Sequence, residues 1–288
     1  MSLPPLATEL PHAALRTLSR SRPHATPCGD GQISWQSWGE GEPLVLLHGG
    51  SGSWTHWIRN VEELAESGRR VLVPDLPGFG DSARPPGGQD ADAIVEPLAQ
   101  GIRLLAGDGP VDVAGFSFGG LTGALLAAAQ PDRVRRLLLV GAPGLGLRAN
   151  RLPLTSWRQQ SDAAGVAAAH RSNLATLMLH RPESVDDLAA ALQAANVPRD
   201  RMHRRKLALT DILVHTLPAI RCRVDAIYGE QDALYVGRLP ELAALLRAAP
   251  TFGELVLLPG AGHWVQYEDA QRFNREALRL LALRVPKM

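Results

Sequence analysis

Apolar residues recur along this chain in two rhythms. Short runs rich in valine and leucine alternate with longer stretches in which leucine and alanine return every three or four positions. The short runs at residues 32–38, 44–47, 70–74, 111–114, 134–140, 224–228 and 254–258 read as strands. Those that are apolar throughout suit a parallel sheet buried on both faces. The longer stretches at residues 57–66, 93–106, 121–129, 239–248 and 270–281 read as helices packed on that sheet. Strand and helix in repeated alternation predict a mostly parallel, doubly wound α/β sheet.

The alternation stops once. Between about residues 148 and 216, three alanine- and leucine-rich helical patterns follow one another, at 163–179, 185–195 and 206–215. An all-helical insertion there, after the strand at 134–140, is expected to lie over one end of the sheet as a cap. The division expected is a leader at 1–27, a core formed by 28–147 and 217–288, and a cap at 148–216. The leader carries Pro4, Pro5, Pro11, Pro23 and Pro27 around a helical-looking segment at 13–19, and is expected to be loosely attached.

The most informative stretch joins the strand at 111–114 to the helix at 121–129. It reads Gly115-Phe116-Ser117-Phe118-Gly119, a G-x-S-x-G pattern with strand before and helix after. A turn this sharp needs glycine two residues either side of the serine, whose hydroxyl then projects above the sheet at a helix N-terminus. The bland alternative is a glycine-rich turn whose serine caps the helix, which requires no base or acid elsewhere. A second glycine-rich loop follows the strand at 44–47, His48-Gly49-Gly50-Ser51-Gly52-Ser53-Trp54. It matches neither phosphate-binding pattern, G-x-x-x-x-G-K-[ST] or G-x-G-x-x-G. It suits an oxyanion loop, with Gly50 as one donor and the Phe118 N–H as the other. His48 reads as a residue that holds this loop, and Asp75 as one that caps the loop at 75–82. Gly144-Leu145-Gly146 lacks the third glycine and following acid of a dinucleotide site.

The order of these elements resembles the α/β-hydrolase fold from about residue 30 to the end. The H-G-G loop at 48–50 is followed by D-x-P-G-F-G-x-S at 75–82, G-F-S-F-G-G at 115–120, the helical cap, G-E-Q-D at 229–232 and G-A-G-H-W at 260–264. The resemblance implies Ser117 as nucleophile, Asp232 as acid and His263 as base. The residues support the same choice on chemical grounds. A serine needs a base in hydrogen-bond reach, and the base a carboxylate that fixes its tautomer. Asp232 and Glu230 are the acids that follow a strand at a suitable point, with Glu230 second. The other histidines precede the serine or fall in the expected cap.

A serine at this position sets the chain apart from haloalkane dehalogenases and epoxide hydrolases, which need an aspartate. Esterases, lactonases, C–C bond hydrolases of ring-cleavage pathways and cofactor-free perhydrolases remain. The segment Gly262-His263-Trp264-Val265-Gln266-Tyr267-Glu268 with Phe273-Asn274 is similar to the C–C hydrolases, and Arg201 lies about where they carry a cap arginine. Phe116 stands where that group has asparagine, and Gly50 to Trp54 departs from its G-P-G-A loop. Substrate contacts are expected from Trp54, Phe116, Arg201 and Trp264, while Trp57, Trp157 and Met178 are pocket or core.

Composition narrows the class. The 288 residues are 45% hydrophobic and 20% charged, enough for a full core. A net charge of +1 gives no electrostatic case for nucleic acid or an acidic membrane surface. Arg199, Arg201, Arg204 and Arg205 cluster, and are expected on a solvated helix face. Cys28 and Cys222 match no metal spacing and are expected as free thiols. Residues 1–6 do not read as a signal peptide, and no apolar run reaches a membrane span, so the expectation is a cytoplasmic protein. The expected activity is a carboxylesterase on small or medium acyl esters, without cofactor or metal, as monomer or homodimer. C–C cleavage of a vinylogous 1,5-diketone or lactone hydrolysis comes second, and a non-catalytic binding protein third.

Overall fold

The computed structural model describes residues 10–147 and 152–282. Residues 1–9 of the expected leader and 148–151 at the start of the expected cap lie outside it. Eight strands form one sheet: β1 (Arg22–Cys28), β2 (Gly31–Trp38), β3 (Glu42–Leu47), β4 (Arg69–Pro74), β5 (Val111–Phe116), β6 (Val134–Val140), β7 (Arg223–Gly229) and β8 (Phe252–Leu258). Their spatial order is β1-β2-β4-β3-β5-β6-β7-β8. β2 runs antiparallel to both its neighbours, and every other pairing is parallel. The expected doubly wound, mostly parallel sheet is therefore present.

Alternate side chains of the central strands divide between two cores. Val45, Leu47 and Val113 face one, shared with Leu98 of α3 (Ala91–Ala106) and Leu121 of α4 (Phe118–Ala129); Leu44, Leu46 and Ala114 face the other. That second core is closed by Val61 and Leu64 of α2 (Val61–Glu66) and by a C-terminal helix, Ala270–Ala282, through Phe273 and Ala277. Period-two alternation with apolar residues on both faces is what a sheet covered on both sides requires.

The N-terminal segment corrects the expectation of loose attachment. Helix α1 (His12–Leu18) is followed directly by β1, which pairs with β2 along its full length. Pro23 and Pro27 are tolerated because β1 is an edge strand, where a missing N–H can face outward. Trp35 Nε1 donates to Thr26 Oγ1 at 2.9 Å and Trp38 Nε1 to the Thr17 carbonyl at 3.1 Å, tying the segment down.

The remaining helices are α5 (Ala163–Asn173), α6 (Asp187–Asn196), α7 (Ile212–Thr216), α8 (Leu239–Arg247), α9 (Val265–Glu268) and α10, the C-terminal one. Between β6 and β7 the described residues are helical or irregular, with a π turn at Leu174–Met178. Among the described residues no helix is long and apolar enough to cross a membrane.

Register fixes where chemistry can gather. Leu47 lies opposite Gly115, Phe116 opposite Val140, and Gly229 opposite Leu258, so the carboxyl ends of β3, β5, β6, β7 and β8 align. From β3 the chain passes to β4 on one side and then to β5 on the other. The crevice outside such a switch point is where open α/β sheets bind ligands.

Candidate active site

At the β5–α4 turn Ser117 has φ 51° and ψ −119°, a conformation that costs a non-glycine residue about 1–3 kcal/mol. Ser51 and Ser117 are the two non-glycine residues with positive φ among those described. The turn closes because its flanks lack side chains. A Cβ on Gly115 would lie 2.3 Å from the Gly119 carbonyl oxygen. On Gly119 it would lie 2.4 Å from the Leu47 oxygen and 2.5 Å from that of His48. Both obstacles are backbone at the start of the glycine loop and cannot rotate away. Gly119→Ala is therefore expected to lower stability by about 3 kcal/mol, read from the denaturant midpoint. An unchanged midpoint would show that the turn has slack.

Two distant loops bring their side chains to Ser117. His263, in the loop after β8, places Nε2 2.9 Å from Ser117 Oγ. Its Nδ1 lies 2.8 Å from Asp232 Oδ2, in the loop after β7. His263 is 2% exposed and Asp232 is fully buried. The Leu234 N–H donates to Asp232 Oδ1 at 2.9 Å, and the Gln231 N–H to the Ala261 carbonyl at 2.9 Å, which ties the two loops together. Glu230 bonds through its backbone to Leu258, and it is Asp232 that meets the imidazole. The backbone N–H groups of Gly50 and Phe118 donate to no acceptor among the described residues.

The glycine loop is held from behind by polar groups. His48 Nε2 accepts from the Leu76 N–H at 2.8 Å, and Nδ1 is 2.7 Å from the Gly49 carbonyl, so the ring is a neutral bridge between two loops. Burial pushes its pKa down to about 4. His56 Nδ1 accepts from the Gly49 N–H at 3.2 Å. Burial, and then the neighbouring His48 and His263, hold it well below the ordinary histidine value. Asp75 accepts from the Trp54 and Asp81 N–H groups, both at 2.9 Å.

The expected substrate-contact residues separate on inspection. Phe116 backs the imidazole of His263, with ring centroids 5.0 Å apart. Trp54 and Trp264 belong to the core: Trp54 packs on Trp38 at 5.5 Å, and Trp264 stacks on Tyr267 at 4.2 Å while donating to the His56 carbonyl. Trp57 is fully buried, and Trp157 stacks on His170 in the segment between β6 and β7. Arg201 is also corrected. Its guanidinium donates to the carbonyls of Phe79, Gly80, Ser82 and Arg199, so it clamps the loop after β4. Nor do the arginines share a solvated helix face. Arg199 pairs with Asp81 at 2.5 Å and Arg205 with Asp200 at 2.8 Å, while Arg204 is exposed. Cys28 and Cys222 are free, and burial pushes the Cys222 thiol up to about 12.

Comparison with known proteins decides the family. A family model described as alpha/beta hydrolase fold matches residues 42–270. The chain belongs to the α/β-hydrolase fold family. It is 30% identical over 261 residues to a 2-hydroxymuconate semialdehyde hydrolase of Pseudomonas putida, covering 85% of this chain and 88% of that one. It is 32% identical over 251 residues to the dihydrolipoyllysine-residue acetyltransferase component of the acetoin cleaving system of Pseudomonas putida. That match covers 84% of this chain and 64% of the longer relative. Among solved structures, a carboxylesterase of Bacillus subtilis superposes with a TM-score of 0.75 at 19% identity, covering 95% and 97% of the two chains. The protein is a hydrolase of this family. An apolar cavity of about 1040 Å³ opens in this α/β hydrolase between the segment that follows β6 and the loop after β7, lined by Leu145, Leu154, Leu177, Leu209, Leu234 and Tyr235. Leu234 and Tyr235 stand two and three residues after Asp232 in the chain.

Proposed function

We propose that this α/β hydrolase cleaves carboxylic esters of small or medium acyl groups through an acyl-enzyme. The observation that carries the reading is the unbroken relay from Asp232 through His263 to the hydroxyl of a strained Ser117. Ser117 Oγ attacks the ester carbonyl as His263 Nε2 takes its proton, and Asp232 offsets the imidazolium charge through Nδ1–H. The Gly50 and Phe118 N–H groups bind the oxygen that becomes negative in the tetrahedral intermediate. His263 then protonates the departing alkoxide. Water, deprotonated by His263, attacks the acyl-enzyme and releases the acid. The segment 148–216 acts as the cap, and the leucine-lined cavity beneath it takes the apolar part of the substrate. The substrate is a small molecule of the cytoplasm.

Cleavage of a C–C bond in a vinylogous 1,5-diketone is the second reading, favoured by the likeness to the semialdehyde hydrolase. Against it stand Phe116, apolar where that group carries an amide, and Arg201, whose guanidinium is spent on backbone carbonyls. A p-nitrophenyl ester series from acetate to octanoate, run beside a 2-hydroxy-6-ketodienoate, separates the two. Ester turnover is expected to exceed diketone turnover at least 10-fold, by analogy with the rate cost of a missing polar contact. Fast diketone cleavage with slow ester turnover would reverse the ranking.

A further inference from the structure

The segment after α6 reaches down to the glycine loop through one carboxylate. Asp200 is 8% exposed, and each of its oxygens is engaged. Oδ2 accepts from the Ser51 hydroxyl at 2.6 Å and from Arg205 Nη2 at 2.8 Å, and Oδ1 accepts from the Met202 N–H at 2.9 Å. Ser51 adjoins Gly50 and sits at φ 53°, so its backbone stays there only if something holds it. The Arg205 guanidinium carbon lies 5.1 and 5.4 Å from the ring centroids of Phe79 and Phe118. It is also 3.5 Å from the point a Cβ on Gly50 would occupy. Its Nη1 is buried without a hydrogen-bond partner. A cation kept there, beside the Gly50 amide, is placed to favour negative charge that appears only as the carbonyl is attacked.

We propose that Asp200 is a positioning residue, which uses the Ser51 hydroxyl and the Arg205 guanidinium to aim the Gly50 N–H and set a positive charge beside it. The inference rests on the serine-hydrolase reading above. A second link runs in parallel, from Ser53 Oγ to Asn196 Oδ1 at 2.8 Å and from Asn196 Nδ2 to Thr55 Oγ1 at 2.9 Å. That link anchors the far end of the same loop, so the cap stays seated when Asp200 is changed and the effect on aim can be read separately.

The test compares wild type, Asp200→Asn, Ser51→Ala and the double variant. Two rates are read: phosphonylation of Ser117 by a fluorophosphonate, and turnover of p-nitrophenyl butyrate. In the first, the Ser117 Oγ–phosphorus bond forms, fluoride leaves and His263 takes the proton, while the phosphoryl oxygen occupies the oxyanion site. Each single variant is expected to slow labelling and kcat about 10-fold or more with KM within about 2-fold. The double variant is expected to resemble Asp200→Asn, because that change already weakens the Ser51 contact along with the Arg205 ion pair. Unchanged labelling with only a lowered melting temperature would reduce Asp200 to a structural brace and overturn the proposal. Multiplying effects in the double variant would overturn it too. A wild type that does not label at all removes the serine-hydrolase reading and this inference with it. Labelling that is fast in wild type and equal in the variants removes the inference alone.

Discussion

Ser117→Ala is expected to lower kcat on an ester by roughly a million-fold, leaving only what binding and the oxyanion donors provide. The size follows from the geometry. With Oγ gone, His263 Nε2 has no proton to take at 2.9 Å, and the relay to Asp232 has nothing to act on. The fold is expected to survive, because among the described residues the hydroxyl makes no hydrogen bond beyond the one to His263. A comparison with Ser117→Gly sharpens the prediction. Alanine inherits the strain of φ 51° and ψ −119°, whereas glycine adopts that conformation freely. Ser117→Gly is expected to be about 1 kcal/mol more stable than Ser117→Ala while equally inactive, the signature of strain kept for function. Ester turnover within 100-fold of wild type in purified Ser117→Ala would remove this residue as the nucleophile. Equal denaturant midpoints for the two variants would show instead that the turn stores no strain.

Local demands were the legible ones. A glycine two residues either side of a serine, between a valine-rich strand and an alanine-rich helix, admits few backbones, and the β5–α4 turn is one of them. The sheet was legible for the same reason, since strands buried on both faces must be apolar throughout. The first strand was not, because Pro23 and Pro27 read as breakers until the partner strand shows that β1 is an edge. Residues whose placement depends on a long path through the segment between β6 and β7 were the least legible. Arg201 and Arg205 are four positions apart in one basic run, yet one clamps carbonyls of the loop after β4 and the other lies over Phe79 and Phe118. Nothing in local periodicity separates them. Trp54 and Trp264 flank functional loops in sequence but point into the core, where their area is worth more than in a solvated pocket. Asp200 carried no signal at all, because its partner Ser51 is remote in sequence and the contact exists only once the segment after α6 has reached the glycine loop.

Acid is expected to unfold this protein through the histidines that tie the glycine loop. His48 is fully buried and neutral, with its pKa down at about 4, and His56 is held well below its ordinary value by the same burial. In the unfolded chain both take up a proton near pH 6.5, whereas in the fold they resist it. Between about pH 6.5 and 4 the unfolded state thus binds more protons, so stability falls as pH falls across that window and is fully present above it. For His48 the difference amounts to about 3 kcal/mol, a large part of the 5–15 kcal/mol of a typical domain. Asp75 works in the opposite sense, since burial raises its pKa and protonation relieves it at the bottom of the range. Urea denaturation at pH steps from 7.5 to 4.5 is expected to give a slope of about 1.4 kcal/mol per pH unit for each histidine taking part. His48→Gln, whose amide can still accept from the Leu76 N–H, is expected to be less stable at neutral pH but to lose one proton's worth of slope. A flat wild-type profile, or an unchanged slope in His48→Gln, would remove His48 as the titrating tie. Protonation of His48 also ends its acceptance from Leu76, so the loops it bridges part from each other. Ester turnover is therefore expected to fail only towards pH 4, where the folded protein itself takes up that proton, because Gly50 rides on one of those loops.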